Sequence, residues 1–226
     1  EGFNQMVEGL REREEIRETF GRYVSPQVRD EILTGRAELD GGLRDVSILF
    51  ADLRGFTTWV EATDPSVVVS DLNAYFSEMD AAIRENAGLV LQFIGDEIEA
   101  VFGAPQADDR HADHAVAAAL AMQQRLDALN ATRRAAGKPD LRHGIGIHSG
   151  QVVAGNIGSA TRMSYSLVGD VVNVASRIQS LNKELDTRVL VSAKTIHQLS
   201  VNPPMRAFPS VRVKGRVAEV EVFALA

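Results

Sequence analysis

The sequence contains no cysteine, which removes disulfides, thiolate metal ligands and thiol catalysis together. Long apolar runs are missing as well. The longest, Ala115 to Met122, falls far short of the roughly 18 residues a membrane span needs. No basic stripe stands out: 24 Lys and Arg face 31 Asp and Glu, a net charge of −7, so no nucleic-acid partner is expected. Residues 1–30 are strongly charged and do not read as a signal peptide. The chain begins at Glu1 rather than Met and is read as a piece of a longer protein. What is present, 226 residues with 45% hydrophobic and 24% charged, suits one globular domain with a sizeable core and a small appendage.

That appendage is residues 1–34. Phe3, Met6, Leu10, Ile16, Phe20 and Val24 form a narrow apolar seam between charged runs such as Arg11 to Glu15, the pattern of a coiled-coil-forming helix. A helix packed on its own domain is the competing reading. Residues 35–226 then alternate strand and helix. Strands are predicted over 46–53, 89–94, 97–102, 142–148, 151–157 and 188–192, with a last hairpin near 211–224, and helices over 65–86, 109–136 and 169–185. Ser149-Gly150 reads as the turn between two of those strands. The central β-α-β-β-α-β order predicts an α+β, ferredoxin-like (palm-type) antiparallel sheet with helices on one face.

Three features carry candidate chemistry. Asp52 ends a strand face otherwise made of Val46, Ile48 and Phe50, where a carboxylate needs a compensating charge or metal; a turn-capping Asp is the plainer reading. The following Arg54-Gly55-Phe56-Thr57-Thr58 segment can offer backbone amides to a phosphate. Asp96 sits at the tip of the Gly95-Asp96 hairpin, and in the predicted sheet it faces Asp52 across about one strand spacing, roughly 5 Å. Two carboxylates that close repel unless cations such as paired Mg²⁺ sit between them. Third, Asn173 and Arg177 lie four apart on a helix whose buried stripe is Val171, Val174, Ile178, Leu181 and Leu185. An amide and a guanidinium together suit an anion whose charge grows in a transition state, against the reading of a solvated polar face. Other signals are weaker. His111, Asp113 and His114 open a long helix and read as ordinary polar residues. His148 reads as structural, and Gly158-Ser159 lacks the context of a nucleophile elbow.

The blocks Phe50-Ala51-Asp52-Leu53-Arg54-Gly55-Phe56-Thr57, Phe93-Ile94-Gly95-Asp96 and Gly169-Asp170-Val171-Val172-Asn173-Val174-Ala175-Ser176-Arg177 resemble the signatures of class III nucleotidyl cyclases, as do residues 144–150 and 155–158. The leading helix and Phe20-Gly21-Arg22-Tyr23-Val24 resemble the segment that joins an upstream HAMP-type sensor module to such a cyclase. The resemblance implies a homodimer with head-to-tail shared active sites. It implies two Mg²⁺ or Mn²⁺ ions per site, bound by Asp52 and Asp96 with the backbone of Leu53. Asn173 and Arg177 would come from the partner subunit. Lys214 would be a phosphate-binding lysine, with Arg162 as a further phosphate contact, and the backbone of Arg54, Gly55, Phe56 and Thr57 would complete the triphosphate site. It also implies a cytoplasmic catalytic domain, with any membrane anchor of the parent protein outside this sequence.

The base-reading positions depart from the family pattern. Gln92 stands where adenylate-forming members have Lys, and Ser166 where they have Asp or Thr; guanylate-forming members have Glu and Cys. Both Gln92 and Ser166 donate or accept, so hydrogen-bond logic leaves the base open. ATP is favoured because the remainder resembles bacterial adenylate-forming members, with GTP as the alternative. Glu99 stands where an apolar residue is usual and is read as facing solvent. Two further readings compete: a dinucleotide cyclase of the related palm fold, which would want a doubled glycine near Gly95, and a non-catalytic nucleotide-sensing dimerisation module.

Overall fold

The computed structural model describes residues 41–159, 162–212 and 219–225. The predicted seam of residues 3–24 and Lys214 lie outside the described residues. The elements run β1 (Gly42–Leu53), α1 (Phe56–Glu61), α2 (Pro65–Glu85), β2 (Leu89–Ile94), β3 (Glu97–Phe102), α3 (His111–Ala135), β4 (His143–Ser159), β5 (Arg162–Val168), α4 (Asp170–Glu184), β6 (Val189–Ser192), α5 (Ala193–Ile196), β7 (Met205–Ala207), β8 (Val211–Arg212), β9 (Glu219–Val220) and β10 (Val222–Leu225).

Period-two patterning places β1 at the heart of the sheet. Leu49, Ala51 and Leu53 point to one side, and Val46, Ile48 and Phe50 to the other, all six buried. β1 pairs antiparallel with β3 on one edge and β4 on the other. The full order is β2-β3-β1-β4-β6-β10-β7, with β5 added to the far end of β4. Its β2-β3-β1-β4 half is the ferredoxin-like arrangement, and only β4–β6 is parallel among the described pairs. α2 begins where Asp64 caps the Ser66 amide at 2.8 Å and Pro65 follows. Its Tyr75, Met79, Ala82 and Ile83 pack with Ala115, Ala118, Ala119 and Met122 of α3 over the Leu49 side of the sheet. The fully buried Met79, Ile83 and Met122 side chains each contribute about 1.5–3 kcal/mol.

The structure corrects the sequence reading in three places. The helices are not all on one face: α4 lies on the Val46–Phe50 side, its Val174, Ala175 and Ile178 buried there. Glycine makes that approach possible. A Cβ on Gly146 would stand 2.2 Å from the Gln179 nitrogen, and one on Gly150 would stand 2.8 Å from Val171. Ser149-Gly150 is therefore not a turn. β4 runs unbroken through it, because Gly150 admits α4 and the buried Ser149 hydroxyl is satisfied by Ser47 at 2.6 Å and Thr195 at 2.9 Å. Finally, the predicted last hairpin resolves into a short β8–β9 ladder followed by β10, which returns to the main sheet between β6 and β7.

Candidate active site

Asp52 closes the Val46–Ile48–Phe50 row at the end of β1, as the alternation predicts. Asp96 belongs to the tight turn between Ile94 and Glu97, whose strand β3 lies against β1 with Ala51 opposite Ile98. The two carboxyl groups come into hydrogen-bonding contact. Burial pushes Asp52 up to about 7, reinforced by the hydrogen bond and charge of Asp96 and the charge of Glu97, and only partly opposed by the Leu53 amide. Burial also raises Glu97, helped by the charges of Glu99 and Asp96.

Both aspartates line a cleft of about 520 Å³. Its floor is the Leu53–Thr58 turn and its far wall is the C-terminal half of α4, where Gln179, Ser180, Asn182 and Lys183 face it. That wall is fixed to β4, since the Asn182 amide donates to the Ile145 carbonyl at 2.8 Å and Gln179 to that of Gly144 at 3.3 Å. The α4 wall was not foreseen in the sequence; the glycine alternation of β4 was its only trace. Thr57 and Gly55 are exposed and Phe56 half-buried at the cleft floor. The first-turn amides of α1 have no partner within that helix.

Arg54 departs from its expected part. Its backbone N–H donates to the Arg142 carbonyl at 2.7 Å, so that amide is committed. Its guanidinium turns away to the Asn182 and Thr187 carbonyls and to Asp186. Beneath the carboxylates, buried Tyr75 meets His143 Nδ1 at 3.0 Å, and Gln123 meets the other ring nitrogen at 2.5 Å. Burial, then the charges of Arg188 and Arg54, lower His143 to about 3, so the ring is neutral. Burial and the nearby charges of Asp52 and Asp96 raise Tyr75, which stays a phenol.

The remaining predicted site residues lie elsewhere. Asn173 is exposed and Arg177 half-buried on α4, and neither lines the cleft. Ser166 is on β5, its hydroxyl 3.4 Å from the Ser164 carbonyl, and Arg162 starts the same strand opposite Ser159. Gln92 is on β2, opposite Glu99. Glu99 does not face solvent: it is only 6% exposed and accepts a hydrogen bond from Gln92 at 2.6 Å. The His111 and His114 rings turn to separate partners, Ser47 and Asp108. His148 bonds Ser192 at 2.7 Å within the core.

A sequence profile of the adenylate and guanylate cyclase catalytic domain matches residues 41–226. The chain belongs to this cyclase family. It is 37% identical over 207 residues to adenylate cyclase 1 of Rhizobium meliloti, covering 91% of this chain and 31% of the relative. The guanylyl cyclase Cya2 superposes with a TM-score of 0.77 at 36% identity, over 82% of this chain and 93% of that one. The adenylyl cyclase CyaB from P. aeruginosa gives 0.76 at 29% identity, over 82% and 95%. The chain spans about a third of the length of the curated relatives it matches. Within the cyclase domain, the Asp52–Asp96 pair is an all-oxygen donor set with two carboxylates pressed together. That fits a hard divalent cation such as Mg²⁺ or Mn²⁺, whose charge would relieve the repulsion.

Proposed function

We propose that two copies of this chain form a purine nucleotide cyclase that converts ATP to 3′,5′-cyclic AMP and pyrophosphate. The reading is carried by the contact of Asp52 with Asp96 at the wall of the cleft. Two Mg²⁺ or Mn²⁺ ions held by Asp52, Asp96 and the Leu53 backbone would neutralise the triphosphate and acidify the ribose 3′-hydroxyl. The 3′-oxygen attacks the α-phosphorus, the bond to the bridging oxygen of the β-phosphate breaks, and the hydroxyl proton leaves to solvent. Backbone amides of Gly55, Phe56 and Thr57 cradle the triphosphate, with Lys214 and Arg162 as its cationic contacts.

Asn173 and Arg177 of the partner subunit orient the ribose and meet the charge that develops on phosphorus. Two observations support a shared site. One chain keeps this pair out of its own cleft. In addition, Leu43, Val153, Ile157, Met163 and Val168 expose 40–63% of their surface along the start of β1, the far end of β4 and β5, an apolar patch that suits a second copy. Gln92 and Ser166 of the partner subunit hold the base. The likeness to an adenylate cyclase supports ATP; the likeness to a guanylyl cyclase keeps GTP as the second reading. We place this domain in the cytoplasm, downstream of a HAMP-type sensor within the longer protein. Among the described residues no helix is long and apolar enough to cross a membrane.

Turnover of ATP and GTP side by side with excess Mn²⁺, with the cyclic products separated chromatographically, tests the reading. Cyclic AMP is the expected main product. Cyclic GMP would overturn the substrate, and neither product would favour the nucleotide-sensing module.

A further inference from the structure

The α4 helix has two separate duties along one axis. Gln179, Ser180, Asn182 and Lys183, toward its end, wall the cleft of their own chain, while Asn173 and Arg177, nearer its start, lie outside that cleft. Helical rise puts Arg177 only about 8 Å, and Asn173 about 14 Å, along the axis from Asn182. The helix backbone rests directly on β4, where a Cβ on Gly146 would stand 2.2 Å from the Gln179 nitrogen. Held in that way it is a rigid element, and the setting of its end bears on where Asn173 and Arg177 stand.

That end is capped from the floor of the cleft. The Asn182 carbonyl is among the last four of α4, which no amide within the helix can satisfy. It accepts from the Thr187 amide at 3.1 Å and from the Arg54 guanidinium at 3.0 Å. The same guanidinium donates to the buried Thr187 carbonyl and meets Asp186 at 3.3 Å. Asp186, at φ 46°, is the left-handed residue that turns the chain out of the helix. A cation at a helix C-terminus usually comes from the helix's own last turn; Arg54 is 128 residues away in sequence from Asn182. Its backbone amide is fixed to the Arg142 carbonyl at 2.7 Å, and its side chain is only 22% exposed. The residue directly before Gly55, Phe56 and Thr57 is thus fastened at both its backbone and its side chain.

We infer that Arg54 is a positioning residue that acts across the dimer: by fastening the Leu53–Thr58 turn of one site to the end of α4, it sets the Asn173 and Arg177 side chains that the same chain supplies to the other site. This rests on the proposed shared-site cyclase and deepens it. Arg54 touches neither nucleotide nor metal in this account. Its effect on the chemistry runs through α4 and appears at the site to which its own aspartates do not belong.

The test uses the 226-residue chain as a heterodimer of Asp52→Ala and Arg177→Ala copies, carrying different affinity tags so that the mixed species is purified. Its single working site takes the aspartates from the Arg177→Ala copy and Arg177 from the Asp52→Ala copy. Arg54→Met is then placed on one copy or the other, and ATP turnover is followed with Mn²⁺. On the Asp52→Ala copy, whose own site is inactive, it should lower kcat about tenfold or more while KM changes less than about twofold, the signature of a misplaced transition-state group. On the Arg177→Ala copy it loosens the turn that holds the nucleotide and should chiefly raise KM. Arg54→Lys keeps the charge without the planar fork and should restore only part of kcat; it is read in the same way should Arg54→Met fail to fold. A kcat unmoved by the change on the Asp52→Ala copy overturns the inference. So does an equal loss of kcat from either copy, which is what a purely structural cap would give. No turnover in the purified heterodimer with Arg54 intact overturns the shared-site reading, and the inference with it.

Discussion

Asp52 is half-buried at the end of an apolar row, where burial and the hydrogen bond and charge of Asp96 push it up to about 7. A cation entering the site must displace the proton that Asp52 carries below that value. Mn²⁺ affinity should therefore climb as pH rises and level off above about 7, falling below it by roughly tenfold per pH unit for the single proton. A titration followed by electron paramagnetic resonance measures this, and an affinity flat across that range would contradict the shared-proton account. The Asp52–Asp96 juxtaposition was legible in the sequence because it needs only a period-two strand, a Gly-Asp turn and neighbouring strands. Glu99 was not legible. Its position on the Phe50 face follows from alternation, but its partner depends on a one-residue bulge in β2 that no local pattern marks. The commitment of the Arg54 amide is not legible for a similar reason: it donates to the carbonyl of Arg142, far away in sequence.

Between elements, α2 and α3 are joined by charge as well as by their apolar faces. Asp71 of α2 meets Arg133 at 2.9 Å and Lys138 at 2.6 Å, with the Asp71 and Arg133 side chains 9% and 5% exposed. Burial pushes the Asp71 carboxyl up, but the hydrogen bonds and charges of Lys138 and Arg133 outweigh it and hold the group below the usual carboxylate range. Its stabilising contribution is thus fully present above that range and lost as pH falls through the lowered value. Removing one partner strands a buried charge, so Asp71→Ala should cost about 3–5 kcal/mol, read by urea denaturation near neutral pH. A loss under about 1 kcal/mol would mean that water reaches the cluster and the pair behaves as a surface one. Arg133 also lies over the Trp59 ring at 6.0 Å, which ties this clamp to α1 and so to the floor of the cleft. The long helices were readable: α2 starts at Pro65 as the pattern predicts, and the structure adds the Asp64 cap. β4 was not, because Ser149-Gly150 has the composition of a turn. What keeps it extended is tertiary, a hydroxyl satisfied across the sheet and a glycine against Val171.

At the scale of the whole molecule, the residues proposed for the catalytic site are not gathered in one place. The cleft holds the aspartates, the Leu53–Thr58 turn and the end of α4, while Asn173, Arg177, Gln92 and Ser166 lie outside it. Sequence patterns nominate these residues without showing that one chain separates them, since separation is a property of the folded sheet. A second copy, seated on the apolar patch of β4 and β5, would bring Asn173 and Arg177 to the aspartates of its neighbour. The most direct measurement is to mix Asp52→Ala with Arg177→Ala protein. Each variant alone should be inactive, and the heterodimer should recover one working site of its two, because one subunit retains the aspartates and the other the arginine. No recovery in a mixture shown to contain heterodimers would contradict the shared site, and with it the account of how this domain acts.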